Sequence, residues 1–225
     1  MEKFGKFDLH VHSKHSKDAI STPASLCKEA LKKGLAGFAI TDHNSIASFQ
    51  EFKKLQKQNK DFLAVLGEEV KIIENGKVQG ELLCYFLQEK IQPASFGEIL
   101  DSARKQNALV SVAHAFDNFR KPFRKDLSKE FKKVQAIETF NARSYTFKAN
   151  KQALGFCERK KLPFTAGSDA HSLVELGKAG IECNAKSEEE LRRAILKRKC
   201  SVFKTHLTPM PSQWLCTALA RLPFK

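Results

Sequence analysis

Short apolar runs alternate with amphipathic stretches along most of the chain, and this alternation predicts strands joined by helices. The first strands and helices are expected, in turn, at residues 7–11, 23–33, 37–41, 45–59 and 62–66. Ser21 or Thr22 before the first helix and Gly34 after it are typical of helix ends. Strand, helix and strand in regular succession indicate a parallel sheet with crossover helices.

A hairpin is expected next, because Asn75-Gly76 suits the positive φ angles of a tight turn and is flanked by apolar runs at 70–73 and 80–87. The alternation then resumes. Further helices are predicted at 95–107, in a short segment that ends at residue 133, in a segment that ends at residue 161, and at 187–199. Further strands are predicted at 109–113, 134–140, 164–166, 178–182 and 201–203. Roughly seven strand-helix units in one domain favour an irregular α/β barrel, of the (β/α)7 kind, over an open sheet.

Residues 1–204 are expected to form this domain, and residues 205–225 a C-terminal tail. The tail contains Trp214, the chain's single tryptophan, and residues 213–222 predict a short amphipathic helix. Packing on the barrel is the first interpretation, since Trp, Leu and Ala at helical spacing usually enter a core. Contact with a partner or an anionic membrane surface is the alternative.

Composition is that of a soluble globular protein: 225 residues, of which 42% are hydrophobic. No apolar run approaches the ~20 residues of a membrane-spanning helix, and the first residues lack the apolar segment of a signal peptide. We therefore expect a cytoplasmic protein with no transmembrane segment and no obligate protein partner. Six scattered cysteines without a C-x-x-C pair are interpreted as reduced core residues.

The chain is basic, with 39 Lys and Arg against 25 Asp and Glu and a formal net charge of +14. Such a surface attracts phosphate-bearing molecules and permits weak nucleic-acid contact. The lysines are spread along the predicted helices, however, so an ordinary solvated surface remains the other interpretation.

Polar clusters follow the predicted strands, and five of the seven histidines belong to them. The clusters are His10/His12, Asp42/His43, Glu68/Glu69, His114, Glu138/Asn141 and Asp169/His171. Carboxyl ends of parallel strands gather at one rim, so distant parts of the chain can build one site. His, Asp and Glu without cysteine are the ligands of a catalytic metal site with open positions. His15 and His206 lack this placement; His15 is kept as a substrate contact.

These motifs resemble the PHP family, the polymerase and histidinol phosphatase domain, and especially its small stand-alone metal-dependent phosphoesterases. The matching segments are Asp8-Leu9-His10-Val11-His12-Ser13 with Asp18, Thr41-Asp42-His43-Asn44, Gly67-Glu68-Glu69, Ala113-His114, Ile137-Glu138-Thr139-Phe140-Asn141-Ala142-Arg143 and Gly167-Ser168-Asp169-Ala170-His171. They occur in order between about residues 7 and 203, so the resemblance covers nearly the whole chain.

The resemblance implies an irregular (β/α)7 barrel with two or three divalent ions, Mn, Zn or Fe. The first ion would be held by His10, His12, Glu69 and Asp169. Glu69 would bridge to a second ion, also held by His114 and Glu81, and the third would be held by Asp18, His43 and His171. Glu81 is a departure, because the family often has histidine there. As a harder donor, a carboxylate favours Mn or Fe.

The predicted reaction is hydrolysis of phosphate monoesters, or of short oligonucleotide ends, by attack of a metal-bound hydroxide. Arg143 is the first candidate for the cation that binds the phosphate, since its planar fork suits two oxygens. Arg120, Lys121 and Arg124 are second choices. Asp42 is also counted among the catalytic residues. Together with Asp8, it is expected to orient the histidines that bind the metal.

The substrate is expected to be a nucleotide such as a nucleoside 3′,5′-bisphosphate, because the chain has no room for a large capping insertion and the rim is basic. The alternatives are a phosphatase of the histidinol-phosphate type and a non-catalytic, metal-stabilised module that binds nucleic acid. A non-catalytic module would be expected to lack some metal ligands, whereas all but one of the expected ligand positions carry the usual residue.

Overall fold

The computed structural model describes residues 4–120, 122–203 and 206–222. Lys121 and the domain boundary expected at residue 204 lie outside these residues. The strands are β1 (Gly5–Val11), β2 (Gly37–Ile40), β3 (Leu63–Glu74), β4 (Lys77–Tyr85), β5 (Leu109–Val112), β6 (Ala136–Asn141), β7 (Phe164–Gly167), β8 (Gly180–Cys183) and β9 (Ser201–Phe203). The helices are α1 (Pro23–Lys32), α2 (Phe49–Gln58), α3 (Phe96–Lys105), α4 (Leu127–Glu130), α5 (Phe147–Lys160), α6 (Glu188–Leu196) and α7 (Met210–Ala220), with a 3₁₀ turn at Phe131–Lys133.

The described strands form one sheet in the order β7-β6-β5-β4-β3-β2-β1-β8-β9. Pairing is parallel except around β4 and β8, which run antiparallel to both of their neighbours. The remaining strands, β1, β2, β3, β5, β6, β7 and β9, therefore share one direction, as expected for an irregular (β/α)7 barrel. A parallel bridge between Val11 and Ala170 links the end of β1 to the segment after β7 and nearly closes the sheet.

Closure requires a very close approach of β7 to β1. A Cβ atom on Gly167 would lie 2.3 Å from the Cβ of His10. No side chain fits in that space, so glycine is required where the two ends of the barrel meet. The bridge therefore brings the residues after β1 beside those after β7.

Apolar side chains pack on both faces of the sheet, as expected of a barrel with helices outside. Phe38 and Ile40 of β2 join one cluster with Leu26 of α1 and Phe52 of α2. Ala39, between them in sequence, belongs to a second cluster that contains Leu191 and Ile195 of α6. The helices are thus held by alternate residues of the strands.

Three predicted elements differ from the structure. The strands expected at 62–66 and 70–73 are one strand, β3, because residues 67–69 stay extended and pair with β4. The helix expected at 45–59 begins only at Phe49. The tail helix begins at Met210 and packs through Gln213 and Cys216, whereas Trp214 is 62% exposed.

Several local predictions are confirmed. Asn75 and Gly76 have φ angles of 51° and 71° in the β3–β4 turn. Thr22 caps α1, and the Oγ of Ser187 accepts from the Glu190 N–H at the start of α6. All six cysteines are free, as expected. No described helix has the length and apolarity needed to cross a bilayer.

Candidate metal centre

Two chain segments lie side by side at the carboxyl ends of β1 and β7, and they carry four of the predicted ligands. The His12 N–H donates to the Ala170 carbonyl over 2.8 Å. This places His10 and His12 opposite Asp169 and His171. Asp169 has a φ of 54°, a left-handed conformation that is uncommon for residues other than glycine and typical of functional sites.

The first predicted metal position is a convergence of four buried ligand atoms. The Nε2 atoms of His10 and His12 lie 3.5 Å from Oε2 of Glu69, and 3.7 and 3.3 Å from Oδ1 of Asp169. All four atoms are buried and without a hydrogen-bond partner among the described residues. Leaving polar atoms buried and unpaired costs roughly 2–7 kcal/mol each. A divalent cation would satisfy all four at once, so the residues fit the predicted ion.

The second predicted position shares Glu69. Its Oε1 lies 3.0 Å from Nε2 of His114, and the same nitrogen is 3.7 Å from Oε2 of Glu81. Glu81, on β4, is buried. Glu69 thus presents one oxygen to each of two positions, as a bridging ligand must. Ligand atoms of His43, Glu69 and Glu81 also lie within 4.8 Å of one another.

The third predicted position faces the solvent. Oδ2 of Asp18 lies 3.4 Å from Nε2 of His43 and 3.5 Å from Nε2 of His171. The side chain of Asp18 is 34% exposed, in contrast to the fully buried Glu69. The Nδ1 of His171 is turned towards the Asp169 carbonyl, at 2.8 Å, which leaves Nε2 directed at Asp18.

Carboxylates behind the cluster orient its histidines. Oε1 of Glu138 lies 2.8 Å from Nδ1 of His10, so the opposite nitrogen points into the cluster. Asp42 acts on His12 through Ser16, whose hydroxyl lies 2.9 Å from Asp42 and 3.2 Å from Nδ1 of His12. Asp8 accepts hydrogen bonds from the backbone of His10, Ser168 and Gly177 and from the Ser168 hydroxyl. It therefore joins β1 to the loop after β7.

The cluster mixes charges of both signs in a buried place. Burial works against the ionised forms, but His43 and His10 hold the pKa of Glu69 well below its usual range, and Arg120 and His10 do the same for Asp169. Burial would lower the pKa of His10, yet Asp169, Glu138 and Glu69 raise it well above its usual value. For His12, burial and the neighbouring His171 and His43 lower the pKa. These neighbours therefore favour the ionised forms of Glu69 and Asp169, the forms that bind a cation.

Residues 8–154 match the PHP domain family. The chain belongs to the PHP family. Residues 147–200 match the PHP-associated family, which in this chain begins at α5 and ends just before β9. The predicted resemblance is confirmed, and the two matches together cover the barrel from within β1 to the end of α6.

Relatives of known sequence and structure agree with this assignment. An uncharacterized protein of Methanocaldococcus jannaschii is 36% identical over 83% of this chain and 75% of its own length. A two-domain protein from Bacteroides vulgatus, described as containing a predicted PHP-like metal-dependent phosphoesterase, superimposes with a TM-score of 0.72 at 18% identity, over 97% of this chain and 70% of that one. The lesion-specific endonuclease EndoQ of Pyrococcus furiosus gives a TM-score of 0.61 at 20% identity, over 87% and 56% of the two chains. At these identities the structural similarity concerns the fold.

A cleft of about 460 Å³ opens beside the PHP domain's ligand cluster. Asp18, His43 and Glu81 form part of its wall, and Arg120 and Arg124, both predicted as substrate contacts, form another part. Arg120 reaches the cluster itself, where its Nη1 contacts Oδ2 of Asp169 and lies 3.3 Å from Oδ1 of Asn141.

Two other predicted substrate residues are placed differently. Arg143 is buried, and its Nη1 lies 3.2 Å from Oε1 of Glu175. It lines a separate cavity of about 350 Å³ beside α7, together with Tyr145 and Trp214. His15 is half-buried, and it is not among the described residues that line the cleft.

Some contributors were not identified from the sequence. Ser16 gives no signal, since a serine in a loop is usually only a turn residue. Glu138 lies at a strand end, but its contact with His10 has no sequence signal, because the two residues are 128 positions apart in the chain. Glu175 follows His171 by four residues and accepts its backbone N–H, a local pattern that could have revealed it.

Proposed function

We propose that this PHP domain is a metal-dependent phosphoesterase that hydrolyses phosphate monoesters of nucleotides, such as nucleoside 3′,5′-bisphosphates, or of short oligonucleotide ends. The observation that supports it most is the convergence of buried ligand atoms from His10, His12, Glu69 and Asp169, which have no hydrogen-bond partner among the described residues. A site that only stabilised the fold would not need a cleft bounded by both ligands and arginines.

Each group of ligand residues would hold a different ion. His10, His12, Glu69 and Asp169 would hold one ion, His114 and Glu81 with Glu69 a second, and Asp18, His43 and His171 a third. Divalent ions in such a cluster supply a nucleophile at neutral pH and neutralise phosphoryl charge. Asp18, at the open side, is exposed enough to meet the incoming ester.

Arg120 is the residue we assign to the phosphate. Its fork already lies against a carboxylate of the cluster, so a phosphate oxygen placed there would meet the same donor. Arg124, in the same wall, forms no ion pair with another described residue and is available to a second phosphate. Arg143 pairs with Glu175 and lines a different cavity from the cleft, and we assign it a structural role.

Two aromatic rings at the cleft favour a nucleotide over a small amino-alcohol phosphate. Phe119 is 74% exposed and meets Tyr145 edge to face, with ring centroids 5.7 Å apart. Both line the cleft. An exposed phenyl ring next to arginines can stack a base while the arginines bind its phosphates.

Hydrolysis of p-nitrophenyl phosphate with added Mn²⁺, Zn²⁺ or Fe²⁺ tests the reaction class. We expect activity that depends on the metal and is lost in His10→Ala. His206→Ala is the matched control, because His206 is exposed and outside the cluster. Asp169→Asn serves as a second inactive variant, and thermal melts exclude misfolding. Absence of hydrolysis with every metal would contradict a phosphoesterase and favour a binding module.

A comparison of a nucleoside 3′,5′-bisphosphate with histidinol phosphate tests the substrate class. We expect higher kcat/KM for the nucleotide, and Phe119→Ala should reduce only the nucleotide's value. Equal turnover of both substrates by the wild type would overturn the nucleotide assignment while leaving the phosphoesterase intact.

A further inference from the structure

A groove extends from the metal cleft to helix α5 across three adjoining cavities. The cleft shares Asn118, Pro122 and Arg124 with a cavity of about 630 Å³. That cavity in turn shares Phe116 and Gln152 with a third, of about 650 Å³. The groove thus connects the predicted metal ligands to a surface of α5 that is separated from the cleft by the middle cavity.

The far end of the groove is basic and lacks anionic partners. Lys148, Lys151 and Arg159 line it, and all three side chains are exposed. None of them forms an ion pair with another residue of the described chain. Asp126 borders the middle cavity, but its carboxylate caps α4 by accepting from Ser128 and pairs with Lys129. Among the described residues of the middle and far cavities, the charges without an ionic partner are therefore positive.

The start of α5 adds to this field. Thr146 precedes the helix without a side-chain cap hydrogen bond, and the first turn contains no acidic residue. Lys148 occupies that first turn, where a cation opposes the helix dipole and destabilises the helix. The uncapped start of α5 and Lys148 destabilise the helix on its own, and both would attract a bound anion.

Aromatic rings accompany the charges along the groove. Phe147 is 46% exposed at the α5 end, and Phe119 is 74% exposed at the cleft. Lys148, Lys151 and Arg159 are spaced by three and eight residues, so they project on one side of the helix over about 16 Å. A row of cations over such a length, with an exposed ring at each end of the groove, matches the backbone and bases of a single nucleic-acid strand.

We propose that this groove binds a single-stranded oligonucleotide whose phosphate to be hydrolysed lies in the metal cleft, with two or three following nucleotides along Phe147, Lys148 and Lys151. The inference rests on the proposed phosphoesterase function and, of the two substrate classes proposed there, favours oligonucleotide ends over mononucleotides. Phosphates contact the lysines and Arg159, and a base stacks on Phe147.

Fluorescence anisotropy with a labelled, single-stranded hexanucleotide carrying a 5′-phosphate tests binding without requiring turnover. We expect Lys148→Glu/Lys151→Glu to weaken binding at least tenfold and to lower the slope of log K against log salt by about 0.7 for each phosphate that the variant no longer neutralises. Lys54→Glu/Lys57→Glu is the matched control, because these lysines are exposed with the same spacing on α2. Phe147→Ala should weaken binding by about tenfold for any base sequence.

Kinetics then separates this proposal from the one it rests on. Lys148→Glu/Lys151→Glu should lower kcat/KM for the hexanucleotide and leave that for p-nitrophenyl phosphate unchanged. Loss of all phosphoester hydrolysis in the wild type, with groove-dependent binding retained, would reject the reaction but not the groove. Equal hexanucleotide binding and turnover in the wild type and the α5 variant would reject the groove as the binding site. The proposal would also be rejected if an acidic peptide displaced the hexanucleotide and a second oligonucleotide did not.

Discussion

The Nδ1 atom of His10 lies 2.8 Å from Oε1 of Glu138, and both side chains are fully excluded from solvent. The other oxygen of Glu138 accepts the His114 backbone N–H at 2.8 Å and the Asn141 side-chain amide at 3.1 Å. One carboxylate therefore holds residues of two predicted metal positions. It acts through other groups and does not itself meet a substrate.

Glu138→Gln should reduce affinity for the first ion by about 10–100-fold, because the single oxygen of an amide cannot accept from both His10 and the His114 N–H. Metal titration by calorimetry, with thermal melts to verify folding, measures this. Glu158→Gln, at an exposed position of α5, is the control. Unchanged metal affinity in Glu138→Gln would show that packing alone positions His10.

Removal of metal should destabilise the protein. Without a cation, the unpaired atoms of His10, His12, Glu69 and Asp169 remain buried, whereas binding at 100-fold above Kd would contribute about 2.7 kcal/mol. For a domain of this size we expect EDTA to lower Tm by roughly 5–10 °C and Mn²⁺ to restore it. In Asp169→Asn the EDTA effect should shrink. A Tm insensitive to chelator would contradict the metal centre.

Glu81 offers a test of metal preference. Its Oε2 lies 3.7 Å from Nε2 of His114, at the second predicted position. Glu81→His replaces a hard oxygen donor by imidazole and should shift the preference from Mn²⁺ towards Zn²⁺. Activity with each metal across a concentration series measures the shift, and Glu81→Gln controls for the missing charge. The same metal ranking in all three proteins would exclude Glu81 from the ligand set.

The barrel and the clustering of most predicted ligand residues could be predicted from the sequence, because strand ends combine two local signals, an apolar run and an abrupt polar cluster. His10, His12 and Asp169 carry both. The role of Ser16 was not accessible, since it depends on the relative position of Asp42 and His12. The sequence predicts a strand end at residues 67–69, because two adjacent carboxylates are typical of a loop. In the structure both carboxylates are buried. Glu69 lies among histidines, and Glu68 accepts a hydrogen bond from the Ile91 N–H.

Arg143 illustrates how a strand-end arginine can serve the fold instead of the substrate. It is buried against Glu175, which also accepts the His171 N–H. Arg143→Met should destabilise the protein by about 3 kcal/mol, because it leaves the Glu175 charge without its cation. The double variant Arg143→Met/Glu175→Gln should recover much of that stability, and urea denaturation measures both.

Activity decides between the two roles of Arg143. If the residue is structural, kcat/KM of the double variant should return towards the wild-type value as stability returns. Arg221→Met is the control, since Arg221 borders the same cavity and is exposed. A stable double variant with a persistently raised KM would instead restore Arg143 to the phosphate site that its position after β6 first indicated. Arg120→Ala should raise KM in either case, because its fork alone reaches the cluster from the cleft wall among the described arginines.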